Sequence, residues 1–502
     1  MRLRGAVRMI GPAFALLVMA LAALVAPPVA AQQIPAIQPL PDALAIQPDP
    51  HDYVRRTDST LYAMGNPLRF GGINVGSLFL RRGADGEIVP TDFETVDLFG
   101  TMQVFSANYV RSVSMGISAG CADCVLPAPG PLNKAALRRM DHVLKLAHDN
   151  GVKLIIVLAG GGSTCPAVPD AVRDTACVFA RWRGLPPSAF FTDAGTRSDF
   201  AAAVVALLKH VNAETGIPYR SDTAIAAWEN CDGCGAGIDP AVLADWTEFL
   251  GRTIKTEDAK HLYENGAFAG RLANVPPARL ALASVDIVGD RIEGDPDAGP
   301  DRFEPALNAV TGASRVYVID SYDWSDATWR TPADLVAFVE EVFLDRRLSG
   351  AFVSDVMGHA DQGGYVKAPQ GVLPPLYTPG FAIGGMDEAD VRKRARAVRR
   401  MTFRMMDLMP VAYPQPDAPT IISAVHGKLR WQGAAGALNY SIERSPDLTT
   451  IGSWQTLCDH CATDENPMWQ DPNVPAGQVW YRMLPFNVNS HEGHPSDPVA
   501  DK

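Results

Sequence analysis

From residue 53 to about 407 the chain alternates short apolar runs with longer amphipathic stretches. The apolar runs fall at 70–75, 109–113, 153–158, 225–228, around Tyr263, and at 285–288, 316–319 and 351–353. Short apolar runs bounded by turn residues predict buried strands. Between them, 133–150 carries Leu137, Met140, Val143, Leu144 and Ala147 on one helical face, and Gly151 follows as its C-terminal stop. The stretches 199–215, closed by Gly216, and 334–348, closed by Gly350, predict two more helices. Strand–helix alternation sustained over ~350 residues predicts an α/β protein, a (β/α)8 TIM barrel spanning 51–408. A doubly wound sheet is the competing architecture. Gly160-Gly161-Gly162 follows a strand but lacks the G-x-G-x-x-G spacing that would support it.

The pattern changes at both ends. Residues 409–419 hold Pro410, Pro414, Pro416 and Pro419, which predicts a stiff linker. Beyond it, short strand-like runs at 421–424, 428–432, 440–444, 454–457 and 479–486 predict a small all-β, immunoglobulin-like sandwich over 420–502. Its Trp431, Tyr440, Trp454 and Trp480 are expected to fill the sandwich core, with a sugar-stacking surface as the alternative. At the other end, Arg2, Arg4 and Arg8 precede the apolar run 13–25, and Val29-Ala30-Ala31 offers a small-residue cleavage site. Residues 1–31 therefore predict a signal peptide, and 32–50 a flexible Pro/Gln-rich segment. The expected mature protein is secreted or periplasmic, without a membrane span.

Composition narrows the partners. The 502 residues are 47% hydrophobic and 20% charged, with a formal net charge of -12. Such a charge argues against nucleic acid, whose phosphates draw on clustered Lys and Arg. A neutral polysaccharide carries no such penalty. The eight cysteines form four close pairs: Cys121 with Cys124, Cys165 with Cys177, Cys231 with Cys234, and Cys458 with Cys461. In an exported chain these predict four local disulfides. A zinc site joining Cys121, Cys124, Cys231 and Cys234 is the alternative. No cofactor and no metal are expected, and the protein is expected to be a monomer.

Several stretches together carry a family likeness. Phe70-Gly71-Gly72-Ile73-Asn74, Val110-Arg111-Ser112, Arg181-Trp182, Phe190-Phe191-Thr192-Asp193, Ala227-Trp228-Glu229, His261-Leu262 and Gly358-His359 are the matching runs. The chain resembles glycoside hydrolase family five, in particular its endo-β-1,4-mannanase-like branch. Trp431-Gln432-Gly433 and Tyr440 resemble a fibronectin-type-III-like tail. The resemblance implies a β-1,4-linked polysaccharide, such as β-mannan, as partner.

The catalytic positions of that family are not matched. Retaining hydrolysis needs two carboxyl groups about 5–5.5 Å apart. The acid/base position reads Gly233, preceded by Asp232, and the nucleophile position reads Ser321. The orienting histidine and tyrosine positions read Arg291 and Ile292, and the strand-eight tryptophan position reads Ser354. Of the matched central positions only Arg111 persists. Asp232 and Asp320 are the remaining catalytic candidates; Arg111, Trp182, Tyr322, Trp324 and His359 are the candidate substrate-binding residues. Three readings follow: a degenerate, glycan-binding member, the leading one; an active endo-glycosidase of the mannan endo-1,4-β-mannosidase type with relocated carboxylates; and a structural envelope protein. Whether the chain is an enzyme stays open, with inactivity favoured.

Overall fold

The computed structural model describes residues 52–83, 86–113, 115–167, 169–268, 275–293, 299–367, 375–377, 386–450 and 452–502. The expected signal peptide and the 32–50 segment lie outside the described residues. Eight parallel strands close into a barrel: β1 (Phe70–Val75), β2 (Tyr109–Ser112), β3 (Lys153–Gly160), β4 (Ile225–Asp232), β5 (Leu262–Asn265), β6 (Ile287–Ile292), β7 (Val316–Asp323) and β8 (Leu348–Ser354). Helices cover the outside: α1 (Asp92–Phe105), α2 (Lys134–Asp149), α3 (Thr175–Trp182), α4 (Ala189–Thr192), α5 (Ala194–Lys209), α6 (Pro240–Glu257), α7 (Pro277–Leu280), α8 (Glu304–Gly312), α9 (Pro332–Leu344) and α10 (Glu388–Met405). The closed barrel excludes the doubly wound alternative.

Side chains alternate across each strand, so every second residue points into the barrel. Stepping by two gives Tyr109 then Arg111, Ala227 then Glu229, Leu262 then Glu264, and Val318 then Asp320. The first member of each pair belongs to an apolar cluster with Phe70, Ile155 and Phe352. The second members form a buried charged layer above it. A three-stranded antiparallel sheet (Arg55–Thr57, Thr60–Ala63, Asn66–Leu68) contributes Leu61 to this apolar cluster, beside Val54. Arg56 and Lys255 both bind Asp286, which tethers that sheet to the start of β6.

Helix α2 matches its predicted span, with Asn133 accepting from Ala135 N as N-cap and Gly151 following at φ 64°. Two predicted helices are shifted. Helix α5 begins at Ala194 and not at 199, because the Asp193 carboxylate accepts from the backbone N–H and the hydroxyl of Thr196 and caps the chain there. It stops at Lys209, and the residues up to Gly216 form a turn in which Asn212 Oδ1 accepts from Glu214 N and Thr215 N. Helix α9 starts at a capping box of Thr331 and Asp334, with Pro332 in the first turn, and ends at Leu344. Gly350 therefore closes no helix. It lies inside β8, where the Phe70 ring fills the space a side chain would need.

After α10 the chain runs without regular structure into two antiparallel sheets. One holds Thr420–Val425, Lys428–Gln432 and Met468–Gln470; the other holds Asn439–Ser445, Gln455–Ala462, Trp480–Phe486 and Val499–Ala500. Ile421, Leu429 and Trp431 from the first sheet pack with Tyr440, Ile442, Tyr481 and Met483 from the second. Trp431 and Tyr440 are core residues as expected, while Trp454 and Trp480 are half-buried and not core. The proline-rich segment is pinned rather than free. Arg399 donates to the carbonyls of Val104, Val411 and Ala412 and lies over the Tyr413 ring.

The four expected cysteine pairs are all disulfides: Cys121 to Cys124, Cys165 to Cys177, Cys231 to Cys234, and Cys458 to Cys461. With every thiol paired, the zinc alternative for Cys121, Cys124, Cys231 and Cys234 falls away. The bridges sit in different surroundings. Cys177 is a buried residue of α3 and ties that helix to the loop holding Cys165. Cys461 is exposed near the end of the strand Gln455–Ala462, while its partner Cys458 faces the core of the C-terminal sheets.

Candidate active site at the barrel mouth

The C-terminal ends of the strands are where a barrel of this type carries its chemistry. Arg111, on β2, is 1% exposed and anchors the layer just below the mouth. Its Nε and Nη2 donate to the two Glu229 oxygens at 2.6 Å each, Nη1 donates to Asn74 Oδ1 at 3.0 Å, and Nη2 also reaches Asp232 Oδ1 at 2.8 Å. This fork geometry suits a planar guanidinium and not an ammonium. It also leaves Arg111 committed to protein acceptors.

Asp232 ends β4. Its Oδ1 accepts from Arg111 and, at 2.6 Å, from Arg291 Nη1. Burial alone would raise its pKa, but the two guanidinium groups outweigh burial and hold the carboxyl well below its ordinary range. Arg291 turns its other arm to Glu293 Oε1 at 3.2 Å, and Ser321 Oγ donates to the same oxygen at 2.7 Å. The mouth therefore carries a chain of polar groups: Arg111, Asp232, Arg291, Glu293 and Ser321. Gly233, next to Asp232, sits at φ 57°.

Asp320 lies apart from this chain. The pairing of β7 shifts register with both neighbours around residues 320 and 321. Ser321 is paired with Arg291 at the mouth, while the Asp320 carboxylate turns into the barrel, 1% exposed. There it meets Glu229 and Glu264, with oxygens of all three within 4.8 Å of one another. Apart from each other, the carboxyls of Asp320 and Glu264 meet no hydrogen-bond donor. Desolvation, reinforced by neighbouring carboxylates, pushes Asp320 well above its usual range and Glu264 up to about 7. Desolvation lifts Glu229 to about 8 even though Arg111 opposes it.

The structure thus separates the two catalytic candidates. Asp232 is at the mouth but locked between two arginines, and Asp320 is sealed inside. The expected sugar-stacking residues fare similarly. Tyr322 and Trp324 are 0% exposed in the main core, with Tyr322 against the Phe338 ring, so neither has a face open to a ligand. Trp182, half-buried at the end of α3, packs on Phe179. His359 is 1% exposed and commits both ring nitrogens to Asp97 and Asp464, at the junction between the barrel and the C-terminal sheets. At the eighth strand, Ser354 is followed by buried Asp355, whose Oδ1 accepts from Gly76 N at 2.9 Å and which desolvation raises to about 6.

Sequence reasoning missed Glu293 and Glu264. Arg291 and Glu293 are two residues apart at a strand end, so alternation alone puts them on one side. Glu264 was hidden because Leu262–Asn265 is short and only Tyr263 read as strand.

Comparisons with known proteins agree with this architecture. No protein-family model matches the chain. A putative mannan endo-1,4-β-mannosidase 5 of Oryza sativa subsp. japonica is 31% identical over 171 residues, covering 32% of this chain and 34% of that protein. Mannan endo-1,4-β-mannosidase 2 of the same organism is 29% identical over 226 residues, 43% of this chain and 47% of that one. The chain thus spans less than half of these curated relatives. Among solved structures, the endo-β-1,4-mannanase of Thermotoga petrophila superposes with TM-score 0.56 at 17% identity, covering 87% of this chain and 98% of that chain. The endo-1,4-β-mannanase of Rhizomucor miehei gives 0.54 at 17% identity, covering 70% and 99%. The barrel has the mannanase fold, and the resemblance read from the residues recurs in both the sequence and the structural comparison.

Proposed function

We propose that this chain is an exported, mannanase-fold protein that engages β-mannan or a related β-1,4-linked polysaccharide at the barrel mouth without hydrolysing it. One observation carries the reading. The acid and nucleophile positions are Gly233 and Ser321, and the two nearest candidate carboxylates cannot replace them. Asp320 is enclosed in the barrel, and Asp232 is neutralised by Arg111 and Arg291. Glycine has no proton to give, and a serine hydroxyl needs an adjacent base before it attacks. The polar chain of Asp232, Arg291 and Glu293 remains able to hydrogen-bond sugar hydroxyls. The relatives' names support a mannan-type ligand. Four disulfides, and the lack of any membrane-crossing helix among the described residues, are compatible with export. The C-terminal sheets would serve as its fibronectin-type-III-like module, and the working state would be a monomer.

The test is reducing-sugar release from β-mannans, glucomannan and cellulose, with binding to the same polymers recorded by affinity electrophoresis. The expected result is retardation without release. Release lost in the double variant Asp232→Ala, Asp320→Ala would mean that hydrolysis survives, and neither binding nor release would move the assignment to a structural envelope role.

A second reading has one specific observation behind it. Arg291 bridges Asp232 and Glu293, bringing two carboxylates to one guanidinium at the mouth. In an active protein this would be the relocated pair, and Glu293→Gln would then abolish sugar release.

A further inference from the structure

We propose that Glu229, Glu264 and Asp320 form a binding site for one divalent cation of the hard, oxygen-seeking class inside the barrel, separate from the glycan site at the mouth. The geometry comes first. Three oxygens within 4.8 Å of one another all lie within about 2.8 Å of a common centre. Calcium takes carboxylate oxygens at about 2.3–2.6 Å and tolerates irregular shells. Small inward rotations of the three side chains complete the contact. Magnesium and manganese need a tighter approach and are the alternatives within the class.

Two independent features point to a ligand in that space. Glu264 is 0% exposed and Asp320 is 1% exposed, yet apart from each other their four oxygens meet no hydrogen-bond donor. Buried carboxylates ordinarily find donors, because an unpaired buried charge is strongly unfavourable. Charge is the second feature. When ionised, the three acids face one guanidinium, Arg111, which Asp232 shares; a divalent ion would cancel the excess negative charge that protons otherwise remove.

The walls of the space are shaped for the acids. A Cβ on Gly289 would collide with Asp320 Oδ2, and one on Gly266 would collide with Glu229 Oε1. Both glycines lie where the backbone passes directly beside a carboxylate. Coordination here would join β4, β5 and β7, so the ion would act as an internal clasp of the barrel rather than as a catalyst.

The ion would enter during folding, so the experiment starts from the unfolded chain. The full-length protein is unfolded in guanidinium with chelator, then refolded in metal-free buffer or with calcium, magnesium or manganese chloride. Native mass spectrometry counts bound ions, and calorimetry gives Tm. The expected result is one ion per chain and a Tm higher by several degrees than that of the metal-free sample. Asp320→Asn and Glu264→Gln should each lose both effects. Wild-type protein that refolds with no bound ion, and with one Tm in metal and in chelator, overturns the proposal and assigns the neutralisation to protons. A folded Asp320→Asn variant that still takes up one ion overturns it as well. The wild-type arms decide the question even where a variant fails to fold.

Discussion

The junction between barrel and C-terminal sheets should weaken as pH rises above neutrality, and one residue should account for it. His359 stands between two carboxylates: Nδ1 is 2.9 Å from Asp97 Oδ1, the backbone N–H donates to Asp97 Oδ2 at 2.6 Å, and Nε2 is 3.2 Å from Asp464 Oδ2. Asp464 also accepts from Trp431 Nε1 and the Tyr440 hydroxyl, so it connects the ring to the core of the sheets. Burial alone would lower the imidazole pKa, but the two carboxylates outweigh it and raise it from 6.5 to about 10. A group whose folded pKa is raised stabilises the fold fully below its unfolded value, and that contribution fades as pH climbs toward the folded value. Each pH unit inside the window is worth about 1.4 kcal/mol. Between about pH 6.5 and 9 the loss should therefore be on the order of 3 kcal/mol. The assay is urea unfolding of wild type and His359→Gln at half-unit steps across that range. Glu229 and Glu264 titrate in or near the same window, but they are present in both proteins and cancel in the difference. The variant should be less stable at the acidic end, with the gap closing by about 3 kcal/mol at the basic end. A gap that stays constant would refute the reasoning, because the ring would then be neutral in the fold.

Other expectations follow from the same geometry. Arg111→Met leaves Glu229 and Asp232 without their shared guanidinium, and should cost about 3–5 kcal/mol in urea unfolding; a loss under about 1 kcal/mol would mean the acids find other partners. Gly289→Ala drives a methyl into the Asp320 carboxylate, and should lower stability by about 1–3 kcal/mol or more, read as a drop in Tm with the fold intact by circular dichroism. Restoring the family glutamates by Gly233→Glu plus Ser321→Glu should not by itself give mannan hydrolysis. Position 233 sits at φ 57°, where a side chain costs about 1–2 kcal/mol, and Arg291 remains beside the restored acid. Reducing-sugar release by that double variant would show the mouth to be more adaptable than its hydrogen bonds suggest.

Much of the barrel was legible in the chain because burial on both faces of a parallel strand writes itself as a continuous apolar run. Runs such as 70–75, 153–158 and 316–319 each mark a strand. Helix boundaries were less legible. Asp193 and Thr331 start their helices through side-chain hydrogen bonds, and the glycines at 216 and 350 serve a turn and a strand. At the mouth, residue identity marked Gly233 and Ser321 as departures from a hydrolase but could not say where the remaining acids point.

Sequence alone determined the alternation of elements, the closely spaced cysteine pairs and the absence of glutamate at two positions, because these depend on residue identity and short-range periodicity. Tertiary structure decided the fate of Asp232, Asp320 and His359. Strand alternation carries Asp320 into the closed barrel, a register shift in β7 sets Ser321 opposite Arg291 at the mouth, Arg291 reaches across from β6 to claim Asp232, and an aspartate 105 residues away fixes His359. Charge pairing in a closed barrel is settled by which strand ends converge, and that convergence is a property of the folded chain.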